Sequence, residues 1–347
     1  MTARAVPLLV SLAVVAAAVL VSLLVVAVAG HSMGDAASAL VSGSFGDATS
    51  FAGTVEVMVP LVLIGLAWIV ASSARQVNLG LEGQILAGGI CATLVGTHFA
   101  GLPRALHLGL AVVAGAAGGA VWAGGPAVLW VRRRVSVLLA TFMLNFVALL
   151  LVNWLVRGPL QDPTNSSLLQ SKPVDLSASW PLIGTHGLTW DVVLIAVGVA
   201  ALMFVQRRTA VGFRLRVLSA SERAARHAGI ATVRVGALAL VCSGAIAGVV
   251  GSSLILASAA GTMTDAFSSN YGFIGIAVAL VARGSPVGCI GAALLFAALE
   301  QGGGLVETRV GVPSTLVEVT QGLVIVLVAG AAYFIARAQA RGADGAV

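Results

Sequence analysis

Charge is scarce in this chain. Only 9% of its 347 residues are charged, and the single lysine, Lys172, is followed at once by Pro173. A G-x-x-x-x-G-K-[ST] phosphate loop therefore has no lysine to build on, and the chain carries no such loop for nucleotide hydrolysis. Aromatic residues make up only 5%, and no stretch alternates polar and apolar residues at about ten-residue spacing, which argues against an outer-membrane barrel. The three cysteines, Cys91, Cys242 and Cys289, lie in apolar runs without metal-ligand spacing, so they are expected to be small buried hydrophobes with no metal or redox role. No Ser/His/Asp arrangement or H-E-x-x-H stands out, and His31, His98, His107, His186 and His227 fall mainly in loops. A catalytic reading has no residues to rest on, and no metal or cofactor is expected in the chain itself.

What the chain does have is apolar length. Hydrophobic residues reach 59%, glycines number 42 and mean hydropathy is +1.04, which points to an all-α, polytopic transmembrane helical bundle in a single domain spanning 1–347. Apolar runs near the required span length occur at 6–29, 53–73, 83–100, 105–131, 135–156, 190–205, 235–260, 273–282, 287–304 and 313–336, so about ten spans are expected. The run at 6–29 is about twice the length of a signal-peptide core, and it is read as a retained first helix. The net charge of +6 comes from arginines at the ends of these runs, which the positive-inside rule explains without nucleic acid. Threading the spans from a cytoplasmic N-terminus places Arg75, Arg132 to Arg134, the 206–234 segment, Arg283, Arg337 and Arg341 inside, with both termini. Outside lie Asp35, Asp47, Asp162, Asp175 and Glu307, an external helix within 30–52, and a Pro- and Ser-rich external loop over 157–189. Glycine sets Gly115 to Gly119 and Gly244 to Gly248 have the small-xxx-small spacing that lets helices approach closely.

Polar groups inside apolar runs are costly enough to mark sites. Asn78, Glu82 and Gln84 cluster beside glycines between the second and third runs. Two readings stand: a broken helix bordering a solute path, or a cytoplasmic turn in which Asn78 caps the third helix. Thr141 and Asn145 share one helical face, followed two turns on by Asn153 and Trp154; they either meet a hydrogen-bonding, stackable solute or bond neighbouring helices. Asn270 and Tyr271, Glu300 and Gln301, and the weaker Ser243, Ser252 and Ser253 add candidates, the serines being able to satisfy themselves on their own helix. The basic insert 206–234 holds Arg207, Arg208, Arg214, Arg216, Arg223, Arg226 and Arg234. Within it Ser221 is a fit N-cap for a short helix from Glu222 to His227, ended by Gly229. That helix either enters a groove of a cytosolic partner or lies on anionic headgroups of membrane lipid.

The stretch Ser219-Ala-Ser-Glu-Arg-Ala-Ala-Arg-His-Ala-Gly-Ile230 resembles the coupling-loop motif G-x-N-x-x-A-A-x-Y-A-G-I of ABC importer permeases of the branched-chain amino acid and simple-sugar class, in its nucleoside/simple-sugar branch. Asn78 to Gln84, Thr141 to Asn145 and Gly272-Phe-Ile-Gly-Ile-Ala-Val-Ala-Leu280 agree with that branch, and the similarity runs from about 34 to 325. The motif's Gly, Asn and Tyr are Ser219, Ser221 and His227 here. The resemblance implies a permease subunit of the bacterial plasma membrane that works with a cytosolic ATPase holding ATP and Mg, a second permease, often a different chain, and an extracytoplasmic substrate-binding lipoprotein. It also implies that Ser221, Glu222, Ala224, Ala225, Gly229 and Ile230 sit at the ATPase joint. The expected cargo is a nucleoside, with simple sugars and branched-chain amino acids as alternatives in the same class. An ion-coupled secondary transporter would need intramembrane carboxylates, for which Glu82 and Glu300 are the candidates. A membrane scaffold or lipid-modifying enzyme is the reading from another class.

Overall fold

A computed structural model describes residues 32–99, 101–165 and 168–311, together with Leu20, Val319, Gly322, Leu323 and Val326. The expected spans at 6–29 and 313–336, and both chain ends, lie outside the described residues. Among the described residues there are eleven α-helices, isolated bridges and no strand. In chain order they are α1 (Met33–Phe45), α2 (Ala48–Ser73), α3 (Leu81–His98), α4 (Arg104–Arg133), α5 (Val137–Val156), α6 (Val193–Arg208), α7 (Ala210–Ala220), α8 (Glu222–His227), α9 (Thr232–Leu256), α10 (Tyr271–Val281) and α11 (Pro286–Val310). A 3-10 turn, Trp190–Val192, leads into α6.

Helix starts follow local chemistry. Ser32 Oγ accepts the Asp35 amide at 3.2 Å to open α1, and Asp47 Oδ1 accepts the Ser50 amide at 2.7 Å to open α2. That amide bond holds the Asp47 carboxyl below the usual carboxylate range. Ser285 caps α11 from Gly288, and Pro286 occupies the first turn, where no intrahelical amide bond is lost.

Among the described residues, six helical stretches are long and apolar enough to cross a membrane: Ala48–Ser73, Arg104–Arg133, Val137–Val156, Trp190–Arg208, Thr232–Leu256 and Pro286–Val310. Two of the ten expected spans differ in kind. The run at 273–282 becomes α10, whose 11 residues make about 16 Å of helix, half of a ~30 Å hydrocarbon layer. The run at 83–100 becomes α3, which carries Glu82, Gln84, Thr93 and Thr97 and is buried by protein rather than built to face lipid.

The central contact is among α3, α4 and α9. A Cβ on Gly119 of α4 would stand 2.1 Å from the Gly244 carbonyl oxygen of α9, and one on Gly248 would stand 2.1 Å from the Gly115 oxygen. A Cβ on Gly88 of α3 would meet Gly248 Cα at 2.4 Å. Three backbones therefore touch with no side chain between them, as the small-residue spacing implies. Around this seam α2, α10 and α11 bury Leu61, Ile64, Leu66, Val278 and Phe296, and α1 lies across α11 with Ser44 Oγ donating to the Ala298 carbonyl at 2.6 Å.

The two ends of the bundle differ in chemistry. At one end the described part of the 157–189 loop is bonded to the bundle: amides of Ser171, Val174, Asp175 and Trp180 each bond, at 2.9 Å, the carbonyls of Met263, Gly261, Gly96 and Leu256 respectively. It buries Val174 and Ala178, and places Ser177 Oγ 2.6 Å from Nδ1 of the buried His107. At the other end Arg75, Arg134 and the 206–234 insert come together. That insert holds two helices, α7 and α8, rather than the one expected, because Thr209 Oγ1 caps α7 by accepting the Gly212 amide at 3.1 Å.

The cysteine expectation holds for one residue of three. Cys289 is buried, Cys91 is half-buried and Cys242 is exposed, because Cys242 sits on the α9 face turned away from the glycine seam.

A Gly119→Val variant should lose about 3 kcal/mol or more of stability, since backbone atoms cannot yield as a rotamer does. Gly124→Val on the same helix meets nothing within 4 Å and should be neutral. Thermal unfolding in detergent compares the two; equal melting would refute the seam.

Candidate functional site

After α2 the helix stops, with Arg75 at φ 59, and the chain runs without helical bonding through 76–80 before α3 opens at Leu81. Within this unwound stretch Asn78 and Gly80 are buried, Gln76 and Leu79 are half-buried, and Val77 is exposed. Glu82 contacts the first turn of α10, about 16 Å from the end where Arg283 lies, and Asn145 is eight residues, about 12 Å, into α5. Residues 78–83 thus sit near the middle of the apolar thickness, where each free peptide group would cost several kcal/mol.

Side chains supply the missing partners. Thr141 Oγ1 accepts the Leu79 amide at 3.2 Å, and Asn145 Nδ2 donates to the Leu79 carbonyl at 2.8 Å. Asn145 Oδ1 accepts the Gly83 amide at 2.9 Å, and Asn78 Oδ1 accepts the Gly80 amide at 3.0 Å. Asn78 and Gln84 exchange two amide bonds of 3.0 and 3.1 Å, and Asn78 Nδ2 also donates to Ser243 Oγ of α9 at 3.0 Å. Glu82 faces the other way. Its Oε2 accepts the Gly272 amide at 2.8 Å, a charged acceptor on the first turn of α10, and its Oε1 accepts from Ser268 Oγ. A Cβ on Gly272 would lie 2.6 Å from that carboxylate oxygen, so only glycine fits there.

Of the two sequence readings of 78–84, the exposed-turn reading changes, while the chain is indeed unwound before α3. This stretch is no solvent-exposed turn, and Asn78 supports α3 two residues upstream of the actual cap, Gly80. Asn78 and Gln84 pair with each other, Thr141 and Asn145 bond the backbone of Leu79 and Gly83, and Glu82 turns to α10; all five are buried at one junction. The other three pathway candidates stand apart. Asn153 bonds its own helix at the Leu149 carbonyl, 3.1 Å, while Trp154 is 61% exposed two turns beyond the junction. Asn270 caps α10 in a left-handed conformation, φ 59, and is exposed.

Sequence reasoning undervalued some groups. Ser252 does bond its own helix, at the Val249 carbonyl, but Ser243 bonds Asn78 and Ser253 Oγ donates to Asp191 Oδ2 at 2.5 Å. Glu82 and Glu300 are not the sole carboxylates at depth. Asp191 is buried, bonded by Thr189 and Ser253, and Glu56 of α2 lies near enough to interact with it electrostatically. The available signal was a carboxylate at the head of one apolar run, 190–205, and another inside a second, 53–73.

At the arginine-rich end, α8 forms as its motif requires. Ser221 Oγ accepts the Ala224 amide at 3.2 Å; Gly229, at φ 72, returns its amide to the Arg226 carbonyl, and the Ile230 amide reaches the Ala225 carbonyl. Glu222 and Arg226 pair at 2.5 Å, an exposed contact of about 0.3–0.5 kcal/mol. Ala225 is fully buried among Ala74, Leu215, Leu218 and Ala239, so it anchors α8 to the bundle instead of presenting to a partner. Ala224, Ala228 and Gly229 face outward.

An Asn145→Leu variant keeps the volume but orphans the Leu79 carbonyl and the Gly83 amide; a loss of about 2–4 kcal/mol is expected. Asn153→Leu, whose partner carbonyl is intrahelical, should cost less than about 1 kcal/mol. Denaturant unfolding in micelles measures both, and equal costs would remove the clamp from Asn145.

Comparison with known proteins bears on both regions. A family model described as branched-chain amino acid transport system / permease component matches residues 50–329, which takes in the junction and α8. The chain is 36% identical over 299 residues to a glucose ABC transporter permease protein of Haloferax volcanii, covering 82% of this chain and 78% of that one. It is 30% identical over 308 residues to a guanosine ABC transporter permease protein of Bacillus subtilis, with 88% of each chain covered. A nucleoside ABC transporter permease protein of Lactococcus lactis is 30% identical over 297 residues, covering 82% of this chain and 80% of its own. With its apolar helices, its buried polar junction and a match over most of its length, this chain belongs to the family of ABC-transporter permease components, membrane-spanning transport subunits rather than enzymes.

Proposed function

We propose that this chain is the permease of a nucleoside importer of the bacterial plasma membrane, driven by an ATPase that docks on α8. A permease of this family works with an ATPase and a substrate-binding partner. In our reading the ATPase binds ATP and Mg in the cytosol, the second permease is a different chain, and the substrate-binding partner is an extracytoplasmic lipoprotein. About ten spans, with both termini inside, complete the topology.

The geometry of α8 carries this reading. It is a capped helix that exposes Ala224, and Ala228 and Gly229 just beyond it, among Glu222, Arg223, Arg226 and His227, and it is fixed to the bundle through Ala225 against α2, α7 and α9. Movement imposed on Ala224, Ala228 and Gly229 is thereby delivered to helices that hold the buried junction. The junction itself we assign to the moving part: α3 and α10 both start inside the bundle, joined by Glu82, so a shift of either re-aims the other. Substrate then passes beside this joint, along α5 and the exposed Asn270.

Nucleosides are favoured by the guanosine relative, matched over 88% of each chain, and by the nucleoside relative. The glucose relative supports hexose as the second reading. The partner lipoprotein should bind a nucleoside at least about tenfold, or ~1.4 kcal/mol, more tightly than glucose. Titration calorimetry decides, and the reverse order would select the sugar.

For coupling, Gly229→Val forces a β-branched residue into the left-handed region, at about 1–2 kcal/mol, with open space around its side chain. Uptake should fall about tenfold while the amount of protein in the membrane is unchanged. Undiminished uptake of radiolabelled nucleoside would remove α8 from the coupling path.

A further inference from the structure

Behind α8 the ends of α2, α4 and α9 enclose a cavity of about 420 Å³, within the usual 300–1,000 Å³ of small-molecule sites. Arg75, Gln76, Trp130, Arg134, Glu222 and Arg226 line it. Three arginines from three separate elements and one carboxylate thus line one concave space. Glu222 is already engaged with Arg226 at 2.5 Å, and Arg75 Nη1 donates one bond, to the Ser219 carbonyl at 3.2 Å. The Arg134 guanidinium makes no hydrogen bond or ion pair among the described residues.

Arg75 and Arg134 share a left-handed backbone with Arg283, Ser269 and Asn270, none of which lines the cavity. Arg75 has φ 59 and Arg134 has φ 57, a region that glycine or asparagine ordinarily fills at a helix end. Retention of arginines at helix ends explains their charge. It does not explain why Arg75, Arg134 and Arg226, from three separate elements, line one cavity with donors to spare.

We infer that this cavity binds a phosphate-bearing anion. The planar fork of arginine suits phosphate oxygens, and three such forks on three sides match the several oxygens of one phosphate better than the two of a carboxylate. The space beyond the arginines, bounded by Gln76 and Trp130, leaves room for the ester substituent. A phosphate held there ties α8 to the ends of α2 and α4. Two sources share this chemistry, a free phosphate compound in the aqueous phase and the headgroup of a phospholipid. Only the consequence for transport rests on the coupling role proposed for α8; the binding does not.

The test uses the chain together with the proteins that co-purify with it, in nanodiscs. In discs of phosphatidylcholine alone, inorganic phosphate is titrated by calorimetry; in discs containing phosphatidylglycerol, retained lipid is counted by native mass spectrometry. Each is compared with an Arg75→Gly/Arg134→Gly double variant, in which glycine suits both backbone angles and the fold is expected to persist. The unmodified chain should bind phosphate or retain phosphatidylglycerol, and the variant should weaken that binding by about tenfold or more. Phosphate binding in neutral discs assigns a free anion, and charge-selective lipid retention alone assigns a headgroup. Arg134→Gly by itself, which breaks no bond of the described structure, should give an intermediate loss. Absence of both signals in the unmodified chain, or equal signals in the variants, overturns the site. Because the readout is binding, undiminished uptake in a Gly229 variant would leave this site standing.

Discussion

A peptide group without a partner inside a bilayer costs several kcal/mol, and the centre of this structure is arranged around avoiding that cost. The chain leaves α2, runs unwound through 76–80 and starts α3 near mid-depth, so it must find substitutes for helical bonds at Leu79, Gly80 and Gly83. Thr141 and Asn145, one turn apart on α5, cover three of those backbone groups; Asn78 covers a fourth and is held in turn by Gln84 and Ser243. The arrangement is permitted only where protein surrounds it. That is why α3 is buried despite its polar residues, and why the glycine seam to α4 and α9 is so close.

The seam and the junction support one another. Three backbones in contact at Gly88, Gly119 and Gly248 exclude lipid from the side of α3 opposite α5, and the dry surroundings strengthen every bond in the polar cluster. Glu82 extends the cluster to α10, whose start is irregular for the same reason as that of α3. Two half-buried helix starts joined by one carboxylate make a connection that bends more readily than a continuous span, which suits a protein whose family moves solutes.

Much of this was legible in the residues. Long apolar runs, arginines gathered at one end, the Ser221 cap and the Gly229 stop each follow from local rules, and the structure places them accordingly. Five of the eight pathway candidates also fall together, because unusual polarity at depth is a strong signal. What spacing could not tell was direction. Asn145 and Asn153 sit on one helix with the same chemistry, yet one clamps a neighbour's backbone and the other bonds its own carbonyl. Ser243 and Ser252 diverge likewise, since a hydroxyl turns outward only when an unpaired group lies opposite. Ala225 was read as a contact for a partner and proves to be an anchor, because a six-residue helix must bury one side to stay in place. Span counting did not show that α3 and α10 begin inside the bundle, since hydropathy registers apolar length and not where a helix starts.

At the centre of this structure the chain is unwound through 76–80, and side chains bond the backbone of Leu79, Gly80 and Gly83. Hydrogen–deuterium exchange on the protein in nanodiscs tests this bonding most directly. Amides of Leu79, Gly80 and Gly83 should exchange as slowly as those in the middle of α3, although the first two lie outside any helix. Exchange at the rate of an exposed turn would show that the junction opens to water, and would contradict the clamp from which the fold and its function have been derived.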